Sequence, residues 1–219
     1  MNAFVLAGGQ STRMGRDKAL LELDGRPLIA LAVEHLRALG IEPRICGSRP
    51  DLARFAEVIP DNLADSGPLG GIEAALTASD SELNLFLPVD APLIPVEFLR
   101  WLIDRATVSN AVATIPVAGG REQPLSAIYS RRLLPGLRAA RAAGQLKMMT
   151  AVRDAAASLH EAVDLFAVEE VEAALAAGVW PEALPLCDWF LNVNAPADLA
   201  GVKIHLKMRP GAIRRDPIS

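Results

Sequence analysis

The chain has 219 residues, 51% of them apolar, 22% charged and 5% aromatic, a length that allows one sizeable domain and a composition that fills a core rather than leaving a disordered chain. With 22 Lys and Arg against 26 Asp and Glu, the net charge of -4 argues against a protein built to grip the phosphate backbone of DNA or RNA. No stretch approaches the ~18 to 20 apolar residues of a membrane-spanning helix, so neither nucleic acid nor membrane is an expected partner.

In chain order, Ala3 to Ala7 is the first strand-like run, and the opening MNAFVLAGG is too short and uncharged for a secretory leader, so a cytoplasmic protein is expected. A helix begins at Pro27, with Leu28, Leu31, Ala32, Leu36 and Leu39 on its inward face and Gly40 placed to end it. Strand patterns follow at Arg44 to Cys46 and Glu57 to Ile59, a helix near Gly71 and a strand at Leu83 to Val89. A helix after Pro95 turns Phe98, Leu99, Leu102 and Ile103 inward, and strands follow at Ala111 to Pro116 and Ser126 to Tyr129. Alanine-rich helices are expected at Leu134 to Ala143 and Leu146 to Ala157, a strand at Ala162 to Phe166 and a helix at Val168 to Ala177. Strand, helix, strand repeated in this way predicts an α/β domain with a mostly parallel sheet and helices on both faces. The domain is expected over residues 1–202, followed by a poorly ordered basic tail at 203–219 with five Lys or Arg against one Asp. Cys46 and Cys187 form no CxxC pair and read as small hydrophobes. His35, His160 and His205 have no nucleophile at a catalytic spacing and read as structural or solvated.

Chemistry concentrates in three loops. FVLAGGQSTRMGRDK, residues 4–18, runs an apolar strand into Gly8 and Gly9, then to Arg13 and Lys18. Glycines let backbone N–H groups approach an anion, and the cations neutralise charge that repels an attacking nucleophile. The loop is neither a Walker A sequence nor GxGxxG; by itself it reads equally as a tight turn with solvated cations. In NLFLPVDAPLIP, Asp90 closes an apolar strand, where one carboxylate beside a phosphate loop suits Mg²⁺, or else a turn brace or helix cap. PDNLADSGPLGG brings Asp61 and Asp65 before a helix, as guanine acceptors or as ordinary loop acids. No protein nucleophile stands out. An ionised phosphate attacking a bound triphosphate needs none, only in-line positioning and charge neutralisation.

LAGGQSTRMGRDKALLELDGRPLI resembles the signature of the molybdenum cofactor guanylyltransferases, within the nucleotidyltransferase superfamily. GPLGGIEAAL, LPVDAPLIP, REQPLSAIY and FLNVNAPADLA resemble family segments in the same order over most of residues 1 to 200. The resemblance implies a single Rossmann-like domain that joins GMP from GTP to molybdopterin phosphate, releases pyrophosphate and requires Mg²⁺. It puts Leu6, Ala7, Gly8 and Gly9 at the guanine nucleotide, Lys18 on its phosphates with Arg13, Asp61 on the nucleotide, and Asp90 on nucleotide and metal. Asp65, Asn192 and Asn194 fall near the site, although the two asparagines suit an Asx turn equally. Arg121 and Gln123, on a glycine-rich hairpin, are candidates for the pterin side or for a solvated turn. GTP and molybdopterin are the implied substrates, and acceptor molybdoenzymes or their chaperones the candidate partners. Two departures stand out: Cys46 replaces an expected nucleotide-touching asparagine, and residues 167–187 form a longer connection than usual. Rival readings are a cytidylyl or other sugar-phosphate-type nucleotidyltransferase, and a catalytically silent nucleotide-binding or cofactor-delivery module. Gly8 favours guanine, since the cytidylyl type resembles LAAG at that place.

Overall fold

A computed structural model describes residues 1–8, 17–61, 66–175, 186–193, 198–199 and 201–202. The strands are β1 (Asn2–Leu6), β2 (Glu22–Leu23), β3 (Arg26–Pro27), β4 (Arg44–Cys46), β5 (Glu57–Ile59), β6 (Leu83–Pro88), β7 (Ala113–Ala118), β8 (Arg121–Glu122), β9 (Ile128–Ser130) and β10 (Val163–Ala167). The helices are α1 (Leu28–Arg37), α2 (Gly67–Ala78), α3 (Val96–Ser109), α4 (Leu134–Ala142), α5 (Met148–Ser158) and α6 (Val168–Leu175). The main sheet has the order β10-β7-β9-β6-β1-β4-β5, with β8 folded back on β7. β1 pairs in parallel with β4 and β6, β4 with β5, and β7 with β10; β9 runs antiparallel between β6 and β7. The mostly parallel α/β expectation therefore holds, with β9 and the short β8 the reversed members.

Alternation along the strands divides the core in two. Ala3 and Val5 of β1, with Leu85 and Leu87 of β6, face α1 and α3, whereas Phe4 and Phe86 face α2, α4 and α5. Phe4 and Phe86 are register partners with ring centroids 5.3 Å apart, and Phe86 meets Tyr129 at 5.7 Å. Each such fully buried ring contributes about 1.5–3 kcal/mol through its removal from water. The Tyr129 hydroxyl, inside this apolar layer, donates to the Pro124 carbonyl oxygen at 2.6 Å, which satisfies it and fixes the loop before β9.

Several boundaries and faces differ from expectation. α1 fully buries Leu28, Ile29, Ala32, Val33 and Leu36, while Leu31 and Leu39 are only partly covered against the same core. At about 100° per residue these five share one arc, Leu31 falls roughly 60° outside it, and Leu39 lies past the helix end. α2 starts at Gly67, because Pro68 supplies the fixed φ suited to a first turn. α3 buries Ala106 as well as Phe98, Leu99 and Leu102, leaving Ile103 partly covered, and it ends on Asn110 in the left-handed region. α5 begins at Met148 rather than Leu146, which is exposed. The β2–β3 hairpin turns at Asp24 and Gly25, both with positive φ, an Asp-Gly signal passed over in the sequence reading. Among the described residues, no helix is long and apolar enough to cross a membrane. The basic tail lies outside the described residues.

Candidate functional site

In an open α/β sheet, ligands collect beyond the carboxyl ends of the strands. Here those ends belong to β1, β4, β5 and β6, and they are zipped past the strands themselves. Ala7 N–H donates to Cys46 O at 3.0 Å, Gly47 N–H to Ile59 O at 3.1 Å, and Val89 N–H to Leu6 O at 3.1 Å. Gly47 has φ +147°, and a Cβ there would stand 3.2 Å from the Gly8 nitrogen, so only glycine lets the two loops run side by side. Around Gly8 itself the nearest atom to an added Cβ, among the described residues, is Cys46 O at 4.0 Å.

Lys18 and Asp90, 72 residues apart, meet in this crevice with Nζ 3.4 Å from Oδ2. Each remains partly exposed, at 28% and 20% of the side chain, so a ligand can reach both. Lys18 opens a short 3-10 turn, Lys18–Leu20, that Asp17 caps by accepting from Ala19 N–H at 3.0 Å. Asp90 follows β6, and its carbonyl oxygen accepts from Val193 N–H at 2.7 Å, drawing the 186–193 segment onto the site.

Asp61 follows β5. A Cβ added to Gly70 would stand 3.2 and 3.3 Å from its carboxylate oxygens, so that carboxylate lies against the first turn of α2. Ser48 Oγ donates to the Asp61 carbonyl oxygen at 2.7 Å. The neighbouring Arg49, which sequence reasoning missed, reaches Asp51 at 2.6 Å and hydrogen-bonds Asp17 Oδ2. These bonds, with Asp51 first and Asp17 next, hold the guanidinium above its ordinary pKa, and Arg49 in turn holds Asp51 below the usual carboxylate range. Cys46, at the expected asparagine position, is turned into the core, and burial pushes its thiol up to about 12. It offers nothing to a ligand.

Beside Asp90 opens a cavity of about 200 Å³ lined by Pro88, Gln123, Ser126, Phe190 and Asn192 among others. Gln123 is fixed by its N–H to Pro116 O at 2.8 Å, while its side chain donates to Arg121 O at 3.2 Å. Arg121 stands exposed on the Gly119–Gly120 hairpin, outside the cavity lining. Gly9, Arg13, Asp65 and Asn194 lie outside the described residues. Among the described residues, no three His, Cys, Asp or Glu side chains cluster as metal ligands. The partly exposed Asp90 carboxylate fits Mg²⁺, an ion held by one or two carboxylates together with substrate phosphates rather than by a protein cage.

A family model, the MobA-like NTP transferase domain, matches residues 3–162. The chain belongs to the MobA-like NTP transferase family. A probable molybdenum cofactor guanylyltransferase of Flavobacterium johnsoniae is 35% identical over 150 residues, covering 68% of this chain and 78% of the relative. Another such probable enzyme, from Pelotomaculum thermopropionicum, is 29% identical over 202 residues, covering 91% of this chain and 90% of its own length. The crystal structure of molybdopterin-guanine dinucleotide biosynthesis protein A from Archaeoglobus fulgidus superposes with a TM-score of 0.73 at 23% identity, over 94% of this chain and 99% of that one. That likeness shows the MobA-like fold extending past residue 162.

Proposed function

We propose that this MobA-like chain is a Mg²⁺-dependent guanylyltransferase of the cytoplasm that transfers GMP from GTP to molybdopterin phosphate and releases pyrophosphate. The observation that carries the reading is the meeting of Lys18 and Asp90 at 3.4 Å where β1 and β6 end. The names of its relatives supply the substrates. In this reading Leu6, Ala7, Gly8, Gly9 and Asp61 hold the guanine nucleotide, with Asp65 nearby, and Lys18 with Arg13 neutralises the triphosphate. Gln123 and Asn192, on the cavity wall, meet the acceptor, with Asn194 assigned to the same side and Arg121, outside the lining, left to solvent.

A molybdopterin phosphate oxygen attacks the α-phosphorus of GTP; a new O–P bond forms as the bond to the bridging oxygen breaks, and pyrophosphate leaves. The attacking oxygen is already ionised, so no general base is required of the protein, in keeping with a crevice whose described charged groups are Lys18, Asp61, Asp90 and the Arg49 cluster. What the chain contributes is alignment and charge: Lys18 offsets the negative charge that would repel the incoming phosphate, and the cavity beside Asp90 sets the direction of approach. Mg²⁺, held by Asp90 and substrate phosphate oxygens, would supply charge neutralisation on the leaving pyrophosphate.

The test incubates the protein with each of the four NTPs, Mg²⁺ and molybdopterin, and measures pyrophosphate and the dinucleotide formed. Pyrophosphate from GTP alone is expected. Release from CTP instead makes the protein a cytidylyltransferase, and no release from any NTP makes it a binding or delivery module.

A further inference from the structure

One carboxylate in the crevice is held from two sides. Asp17 Oδ1 accepts from Ala19 N–H at 3.0 Å, capping the turn that carries Lys18, while Oδ2 accepts from the Arg49 guanidinium. Arg49 is itself fixed: its N–H donates to Gly47 O at 2.8 Å, its carbonyl accepts from Leu52 N–H at 3.0 Å, and Asp51 takes the guanidinium from the other side. Next to it, Ser48 holds the Asp61 backbone. The loop leaving β4 thus braces both the Lys18 turn and Asp61.

Arg49 and Asp17 side chains are each 29% exposed, and a pair so open to water adds little stability. Its geometry is better explained by placement. Lysine hangs its ammonium on a flexible stem, so where the charge sits depends on how firmly the backbone at its root is held. We propose that Arg49 is a positioning residue for Lys18, acting through the Asp17 carboxylate to set the Lys18–Leu20 turn against the triphosphate. This rests on the guanylyltransferase reading given above.

The experiment compares wild type, Arg49→Ala, Arg49→Lys, Asp17→Asn, Lys18→Ala and the Lys18→Ala/Arg49→Ala double variant. Steady-state kinetics use GTP, Mg²⁺ and molybdopterin, and GTP affinity is measured by calorimetry. Arg49→Ala should lower kcat/KM by about tenfold to a hundredfold, the scale of a misplaced catalytic charge, with an unchanged unfolding midpoint. Asp17→Asn, which keeps an oxygen for the cap but loses the ion pair, should behave likewise. Arg49→Lys should recover part of the rate. In the Lys18→Ala background, removing Arg49 should cost at most about twofold more, because the two act as one unit. Full additivity would mean that Arg49 meets the phosphates itself, and wild-type rates in Arg49→Ala would make the pair an idle surface contact; either overturns the proposal.

A second readout separates this inference from the reading beneath it. Acylation of Lys18 by a small amine-reactive ester, followed by peptide mass spectrometry without nucleotide, should quicken in Arg49→Ala and Asp17→Asn as the turn loosens. Unchanged labelling overturns the positioning role even if GTP is turned over. Absent turnover in wild type overturns the guanylyltransferase reading, whatever the labelling shows.

Discussion

The Val193 N–H donates to the Asp90 carbonyl oxygen at 2.7 Å, a backbone bond between residues about a hundred positions apart that sets Asn192 on the wall of the cavity beside the Asp90 carboxylate. Asn192→Ala should therefore act on the acceptor. The KM for molybdopterin is expected to rise by about fivefold to thirtyfold, the loss of one or two hydrogen bonds at roughly 1–2 kcal/mol, with the KM for GTP little changed. Steady-state kinetics with each substrate varied in turn checks this, and a selective rise in the GTP KM would place Asn192 on the nucleotide instead.

Asp90→Asn keeps shape and removes charge. The side chain is partly solvated and follows the strand, so the unfolding midpoint should stay near that of wild type. Turnover should fall on the order of 10² or more, as expected when the charge that holds a catalytic metal is lost. Near-normal rates with Mg²⁺ would remove Asp90 from the metal.

Two neighbouring glycines make a controlled pair. Among the described residues an added methyl at Gly8 meets only Cys46 O, at 4.0 Å, so Gly8→Ala should keep the unfolding midpoint of wild type, and with that midpoint kept a change in nucleotide choice is assigned to the ligand. A loss of roughly 1 to 3 kcal/mol in the preference for GTP over CTP is expected, measured as the ratio of kcat/KM values. Gly47→Ala should instead destabilise the protein and lower both activities together, because its φ of +147° and the 3.2 Å approach to the Gly8 nitrogen leave a side chain no room. An unchanged ratio in Gly8→Ala would assign base discrimination elsewhere.

Away from the crevice, a Cβ added at Gly136 of α4 would meet Ala155 Cβ of α5 at 2.5 Å and its Cα at 2.8 Å. Gly136→Ala should push the two helices apart and cost about 1–3 kcal/mol, the usual range for overpacking. Chemical denaturation should show the loss while kcat well below the midpoint is kept. A stability equal to wild type would mean that α4 and α5 slide freely.

How much of this was legible beforehand depended on whether the signal was local. The apolar runs of β1 and β6 and Pro27 before α1 carry their structure in neighbouring residues, so the longer strands and the helices could be placed to within a few positions, whereas the Gly67–Pro68 start of α2 and the short strands β2, β3 and β8 were not read. Lys18 and Asp90 could be paired because each ends a recognisable strand-loop pattern. The reversal of β9 was not legible: its three residues are all buried, as those of a parallel strand covered on both faces would be, and direction depends on pairing with β6 and β7. Arg49 was missed for the same reason. In ICGSRP it looks like a solvated cation beside a proline, and only the fold brings Asp17, 32 residues away, within its reach. Cys46 was noticed as a departure, but its inward turn comes from strand alternation in β4, which sends Ile45 to one core layer and Cys46 to the other beside Phe4.

The reversal of β9 has a consequence for how the molecule can be altered. Parallel strands deliver to the crevice the residues that follow them, whereas β9, pointing the other way, delivers the residues that precede it, Pro124, Leu125 and Ser126, pinned by the Tyr129 hydroxyl. The cavity beside Asp90 is thus walled from strands of opposite sense, by Pro88, Asp90 and Ala91 from the end of β6 and by Gln123 to Ser126 ahead of β9. Residues 119–126 form one continuous stretch of chain, separate in sequence from the loops after β1, β4, β5 and β6 although it shares the cavity with the last of them. Under the proposed guanylyltransferase reading, a graft of that stretch is expected to alter the choice of acceptor more than the choice of nucleotide.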